Sequence, residues 1–155
     1  MGTAGTLLLA DELVKGIRDH GAKSYPHEAC GAILGVDGAG PREARALLPL
    51  INRRDDSPRN RFEVDADDFR TAERAAAERG LELVGWYHSH PDHPARPSEY
   101  DREHAWPWYS YVIVSVAAGQ PQDMTSWRLA DDRLQFVAEV IEAAMHGAAD
   151  QYSKV

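Results

Sequence analysis

The chain reads as an α/β protein, a single domain in which a mixed β-sheet lies between helices. Three observations predict this class. The 155 residues are 43% hydrophobic and 27% charged, a globular balance in a chain long enough to bury roughly two-thirds of its unfolded surface. Segments with helical periodicity alternate with short apolar runs along the whole sequence. One Gly/Pro turn joins two of those runs closely enough to form a hairpin, so strands and helices belong to one mixed sheet. No repeat, low-complexity tract or linker divides the chain, and residues 1–155 are expected to fold as one domain.

The elements follow in order. Leu13, Ile17 and Ala22 recur at helical spacing, predicting a first helix over residues 10–23 that Tyr25-Pro26-His27 breaks. Residues 29–36 are mostly apolar and read as a buried strand. The turn Asp37-Gly38-Ala39-Gly40-Pro41 returns the chain through a second strand over residues 43–51. Residues 52–61 form a polar loop and residues 62–64 a short strand. Asp65 is placed to cap a second helix, with Asp68 three residues on, Phe69, Ala72 and Ala76 along one face, and Gly80 closing it. A strand over residues 81–87 ends at a pair of histidines. Residues 91–97 hold three prolines and read as a stiff loop. Ser98 opens a short helix to about Trp106. Strands are expected over residues 109–116 and 123–129. The stretch 134–149 begins like a strand and turns helical from Glu139.

Charge and cysteine content narrow the function classes. A net charge of −8 and a pI near 5.3 argue against general binding to nucleic acid or anionic membranes, and suit a cytoplasmic protein acting on a polypeptide or small molecule. The lone Cys30 permits no internal disulfide and no Cys-rich zinc ribbon. Leu7-Leu8-Leu9-Ala10 is too short to span a membrane. The first six residues fit the loose N-myristoylation pattern, which is discounted because one acyl chain without a basic patch anchors weakly.

The segment with the most chemistry is His88-Ser89-His90-Pro91, followed by Ser98-Glu99-Tyr100-Asp101. Side chains alternate along a strand, so His88 and His90 face one side and Ser89 the other. Two imidazoles so placed can bind one ion at about 2.0–2.1 Å. The loop then returns Asp101 as a third ligand, and Pro91, Pro94 and Pro97 reduce the entropy lost in assembling it. Two nitrogens and one oxygen suit Zn²⁺ and leave a fourth position for water, whose pKa zinc lowers towards about 7. Singly, each fragment has a plainer reading: His-x-His as strand packing, Ser98-x-x-Asp101 as a helix capping box. Four polar positions in one window between prolines point to a common purpose.

His88-x-His90-Pro91, seven residues, then Ser98-x-x-Asp101, resembles the JAMM (MPN+) metallopeptidase motif. Pro26-His27-Glu28-Ala29-Cys30-Gly31-Ala32-Ile33-Leu34-Gly35 is similar to that family's upstream segment, and the likeness extends to Asn52 and to Arg61-Phe62-Glu63-Val64-Asp65. It covers about residues 8–130, leaving 131–155 as a C-terminal extension. The resemblance implies the JAMM/MPN fold, with layering like that of cytidine deaminases, and one Zn²⁺ per chain held by His88, His90 and Asp101. It also implies that Glu28 moves a proton from water to the leaving amine, and that Ser98 hydrogen-bonds the oxyanion. The plain alternatives are a solvent-facing Glu28 and a Ser98 that only caps its helix. His93 and His104 fall outside the implied ligand set and read as solvated or as outer neighbours of the site. Cys30 reads as a small buried residue. Trp86, Tyr87, Trp106, Trp108, Tyr109 and Tyr111 read mostly as core, and Arg53, Arg54, Arg59 and Arg61 as a basic solvated loop.

Within that family the chain resembles the compact bacterial members that act on small ubiquitin-like sulfur carriers. The implied reaction is hydrolysis of an amide at the carrier's C-terminal Gly-Gly, with cysteine as a candidate adduct, no nucleic-acid or membrane partner, and a homodimer allowed. The alternatives from other classes are a non-catalytic MPN interaction domain, against which the intact residue set weighs, and a DNA-repair-associated JAMM protein, which the acidic charge disfavours. Nucleoside deaminases need a Pro-Cys-x-x-Cys pair that a single cysteine cannot supply.

Overall fold

The computed structural model describes residues 2–51 and 64–143, and it begins with a strand the sequence reading lacked. This is β1 (Thr6–Leu8), too short to show any periodicity of its own. Then follow α1 (Asp11–Ser24), β2 (Cys30–Val36), β3 (Arg42–Leu50), α2 (Ala66–Glu78), β4 (Glu82–Pro91), α3 (Glu99–His104), β5 (Ser110–Ala117), β6 (Gln120–Leu129) and β7 (Phe136–Glu142). The sheet order is β1-β3-β2-β4-β5-β6-β7, and β1 pairs in parallel with both β3 and β7, closing the sheet on itself. Pairing is mixed: β2 is antiparallel to β3 and β4, β4 is parallel to β5, and β6 is antiparallel to both β5 and β7. The α/β class with a mixed sheet flanked by helices is therefore as expected.

Two apolar cores form, one under each long helix. Ile17 of α1 packs with Leu7, Ile33, Val84, Tyr87, Val112 and Val114. Ala72 and Ala76 of α2 pack with Cys30, Leu34, Trp86, Tyr111 and Leu129, joined by Phe69. The alternation of β2 divides its residues between these cores, and in β4 a bulge between Leu83 and Gly85 shifts the phase, so that Val84 and Tyr87 join the α1 core and Leu83 and Trp86 the α2 core. Gly31 is needed where it stands: a Cβ there would lie 2.3 Å from the ring of Tyr87 across the ladder.

The capping signals act as read. Asp65 and Asp68 form a reciprocal capping box at the start of α2. Gly80, at φ +67, ends that helix, with Gly80 N donating to Ala77 O and Leu81 N to Ala76 O, the paired bonds of a Schellman turn.

Other expectations are corrected. β4 does not stop at Tyr87 but continues through both histidines to Pro91. Glu139 belongs to β7, not to a helix, because its buried carboxylate accepts from Ser126 Oγ at 2.7 Å and Arg128 Nε at 2.7 Å. Trp106 and Trp108 are exposed instead of core, and Val64 is irregular instead of strand. The basic loop over residues 53–61, the rest of the strand expected at 62–64, and the end of the helix expected at 144–149 lie outside the described residues. Among the described residues, no helix is long and apolar enough to cross a membrane.

Candidate metal centre

The site is assembled by three segments that the strand register brings together. In β4, His88 and His90 share the face that carries Trp86, while Tyr87 and Ser89 face α1. Cys30 of β2 lies opposite His88. The pairing continues one residue further, because Ser89 N donates to Ala29 O at 3.0 Å. Carried on to the next position, it sets Glu28 across from His90, on the same face as both histidines. Glu28 is buried, so the solvent-facing alternative fails.

Asp101 arrives on the first turn of α3. Ser98 caps that helix: Asp101 N donates to Ser98 Oγ at 3.0 Å, and Ser98 N donates to Asp101 Oδ2 at 2.8 Å. The capping box therefore fixes the Asp101 carboxylate and also stabilises the helix. Its plain reading and its metal-site reading are compatible. So are the two readings of Ser98, since capping uses a hydroxyl lone pair and leaves the O–H to donate.

His88 Nε2 lies 3.1 Å from His90 Nε2, His90 Nε2 lies 3.2 Å from Asp101 Oδ2, and His88 Nε2 lies 3.5 Å from Asp101 Oδ1. Ligands about 2.0–2.1 Å from a tetrahedral zinc stand about 3.3 Å apart, so this triangle has the size the ion needs. These three residues are the one such group among the described residues. Protonation fits as well. His90 Nδ1–H donates to Pro94 O at 2.9 Å, which leaves its Nε2 with a lone pair directed at the cluster. Burial, partly offset by Asp101, lowers the pKa of His88 and favours the neutral ring. Burial alone would raise the pKa of Asp101, but the two imidazoles outweigh it and hold the carboxyl well below the usual range. Acceptor atoms packed this closely call for a cation between them.

Glu28 is poised differently. Burial first, and the Asp101 charge second, push its carboxyl up to about 10 in the metal-free protein. Its Oε1 is buried with no hydrogen-bond partner among the described residues. A buried carboxyl with an unpartnered oxygen beside an ion site is suited to taking and returning a proton. Glu28, His90 and Ser98 line a cleft of about 500 Å³ together with His93, Pro94 and Arg96.

Several supporting groups escaped the sequence reading. Ser89 Oγ accepts from Ala29 N at 2.8 Å, so the residue that faces away from the ion pins the segment carrying Glu28. Alternation had placed Ser89 on that far face, where a buried hydroxyl next to a strand partner was a usable signal. Asp92, at φ 59, bonds Tyr25 Oη at 2.6 Å and Ala118 N at 2.8 Å and so anchors the loop after the histidines. Thr125 Oγ1 donates to Ala95 O at 2.6 Å, and Ser115 Oγ to His93 O at 2.6 Å. His93 is exposed in the cleft and His104 is exposed and stacked on Tyr100. Cys30 is buried, as expected.

Residues 10–130 match the family described as prokaryotic homologs of the JAB domain, Prok-JAB. The chain is 36% identical to a desampylase from Haloferax volcanii over 68% of its own length and 74% of that protein. It is 30% identical to a CysO-cysteine peptidase from Mycobacterium tuberculosis, covering 84% of this chain and 87% of that one. A solution structure of a protein from Salinibacter ruber superposes with a TM-score of 0.71 at 47% identity, over 89% of this chain and 92% of the other. With a family match over most of its length and relatives of this identity, the chain belongs to the Prok-JAB family.

Proposed function

We propose that the protein is a zinc-dependent metallopeptidase that hydrolyses an amide at the C-terminal Gly-Gly of a small ubiquitin-like sulfur carrier, releasing an amino acid such as cysteine. The observation that carries this reading is the placement of the buried Glu28 beside His90, one corner of the His88-His90-Asp101 triangle, on the lining of one cleft. The names of the desampylase and the CysO-cysteine peptidase support the substrate class. Membership of the family supports zinc as the metal, one ion per chain.

A zinc ion held by His88, His90 and Asp101 supplies Lewis acidity, which acidifies water and polarises a carbonyl. The chain supplies the rest. Pro94 O keeps the His90 ring turned with Nε2 inward, and the Ser98 capping box holds Asp101. Glu28 accepts a proton at its carboxylate from the attacking water and delivers it to the departing nitrogen. Ser98 Oγ–H, free of the capping bond, donates to the oxyanion. Burial around Glu28 excludes other water and lifts its basicity. One described domain performs these tasks, acting in the cytoplasm.

The test incubates zinc-loaded protein with a Gly-Gly-ending carrier bearing a C-terminal cysteine, beside Glu28→Gln and a chelator-treated sample. Metal-dependent release that the variant loses by about three orders of magnitude or more is expected, given what a positioned acid–base group contributes. Equal release by wild type and variant would remove Glu28 from the mechanism.

A further inference from the structure

The cleft beside Glu28 contains a cation that the mechanism above does not use. Arg96 is exposed, and its guanidinium has no hydrogen bond or ion pair among the described residues. It lines the cleft with Glu28, His90 and Ser98, and it also lines a second hollow of about 310 Å³ with Pro97, Ser98, Arg102 and Trp127. The contrast with Arg102, the other cation in these linings, is informative. Arg102 pairs with Glu99 and donates to Arg133 O, so it is committed to holding α3. Arg96 alone among them is unengaged and stands where the two hollows meet.

Its backbone is firmly placed. Arg96 N donates to Pro94 O at 2.8 Å, Thr125 Oγ1 holds Ala95 O, and Pro97 follows. Pro94 O is the same carbonyl that orients His90. The turn that sets a metal ligand therefore sets Arg96 as well, and the guanidinium has a fixed origin relative to the reacting bond. A fork of N–H donors on a rigid turn suits a planar anion, bound through two parallel bonds.

We infer that Arg96 receives the free α-carboxylate of the residue that leaves, so that the protein releases single amino acids in preference to cleaving lysine isopeptides. This rests on the peptidase reading above and assigns its leaving-group side. On hydrolysis, water adds to the carrier's terminal carbonyl, the C–N bond breaks, and the proton held by Glu28 passes to nitrogen. The products are a carrier carboxylate and a free amine. In a released amino acid the α-carboxylate is two bonds from that nitrogen, within the cleft that Glu28 and Arg96 share. In a lysine isopeptide four methylenes separate the nitrogen from Cα, whose carboxyl is tied up in a peptide bond. An anion receptor in the same cleft as the proton carrier meets a partner only in the first case.

Zinc-loaded full-length protein is given three probes: a Gly-Gly-ending carrier with C-terminal cysteine, the same carrier with cysteinamide, and a carrier joined to a lysine ε-amine. Wild type is expected to prefer the free carboxylate over the carboxamide by roughly 10- to 100-fold in kcat/KM, the worth of a charge-assisted pair. The preference falls mainly in KM, because the carboxylate is bound before and during reaction. In Arg96→Ala the ratio collapses towards one, and Arg96→Lys keeps part of it. A wild-type enzyme with no preference, or an Arg96→Ala variant that retains it, overturns the assignment while leaving the peptidase reading intact. Cleavage of the isopeptide probe alone overturns it too. If wild type cleaves none of the three, the peptidase reading falls and this assignment with it.

Discussion

Replacing Glu28 by Gln should abolish activity and at the same time stabilise the metal-free fold, with the gain growing as pH rises. In the folded, metal-free protein the Glu28 carboxyl is raised from 4.5 to about 10, chiefly by burial. Between those two values the folded state holds a proton that the unfolded state has released. Stability is therefore complete below the unfolded pKa and is lost as pH rises from about 4.5 towards 10, by about 1.4 kcal/mol per pH unit. At pH 7 the wild type has lost about 3 kcal/mol in this way, and at pH 5 less than about 1 kcal/mol. Gln cannot titrate, and Oε1 has no hydrogen bond to lose. Asp101 and the histidines are present in both proteins and cancel in the difference.

For a domain of this size, about 3 kcal/mol moves Tm by roughly 6–12 °C. Calorimetric scans of chelator-treated protein should show Glu28→Gln melting above wild type by that margin at pH 7, and by no more than about 3 °C at pH 5. Saturating zinc should narrow the gap, since a nearby divalent cation favours the ionised carboxylate. Parallel pH profiles for the two metal-free proteins would refute the claim that Glu28 is held protonated by its surroundings.

His90→Ala removes one corner of the ligand triangle and should reduce zinc from about one ion per chain to a small fraction, measured by atomic emission after gel filtration. Ser89→Ala leaves the buried Ala29 N–H without its acceptor; it should cost about 1–3 kcal/mol in denaturant unfolding and lower kcat while zinc content stays at the wild-type level. Ser98→Ala loses the α3 cap, worth about 1 kcal/mol, together with the hydroxyl proposed to donate to the oxyanion. Ser98→Asp restores an acceptor for Asp101 N without an O–H, so the melting temperature should recover where activity does not.

How much of the site was legible depended on how local each piece was. Strand alternation alone sent His88 and His90 to one face and Ser89 to the other, and Ser98-x-x-Asp101 was visible as a capping box. Both are consequences of geometry within a few residues. Glu28 is different: its approach rests on the antiparallel register of β2 and β4, sixty positions apart at Ala29 and Ser89. No local pattern encodes that pairing, and the segment was recognised only through its likeness to a family. β7 was obscured for a related reason. Glu139 interrupts the apolar run, and the Ser126 and Arg128 partners that allow its burial lie on another strand. Trp106 and Trp108 followed composition to the core, whereas the turn between α3 and β5 leaves both in solvent.

The two faces of β4 explain why this site tolerates so much buried charge chemistry. The ion-facing side holds two histidines within reach of two carboxylates, an arrangement that costs free energy without the cation. The opposite side has to hold the strand in place regardless. There Tyr87 lies over Gly31 and bonds His20 at 2.7 Å, and Ser89 ties β4 to Ala29. Val84 of the same strand packs in the α1 core. These contacts involve no side chain of the His88-His90-Asp101 triangle, so the strand that carries the two histidines is held in place by groups that do not depend on an ion. A preformed site binds without ordering its own residues, and that favours affinity over a site folded by its metal. The cost of this rigidity falls on Glu28, whose buried carboxyl destabilises the metal-free fold at neutral pH and is relieved when a cation enters beside it.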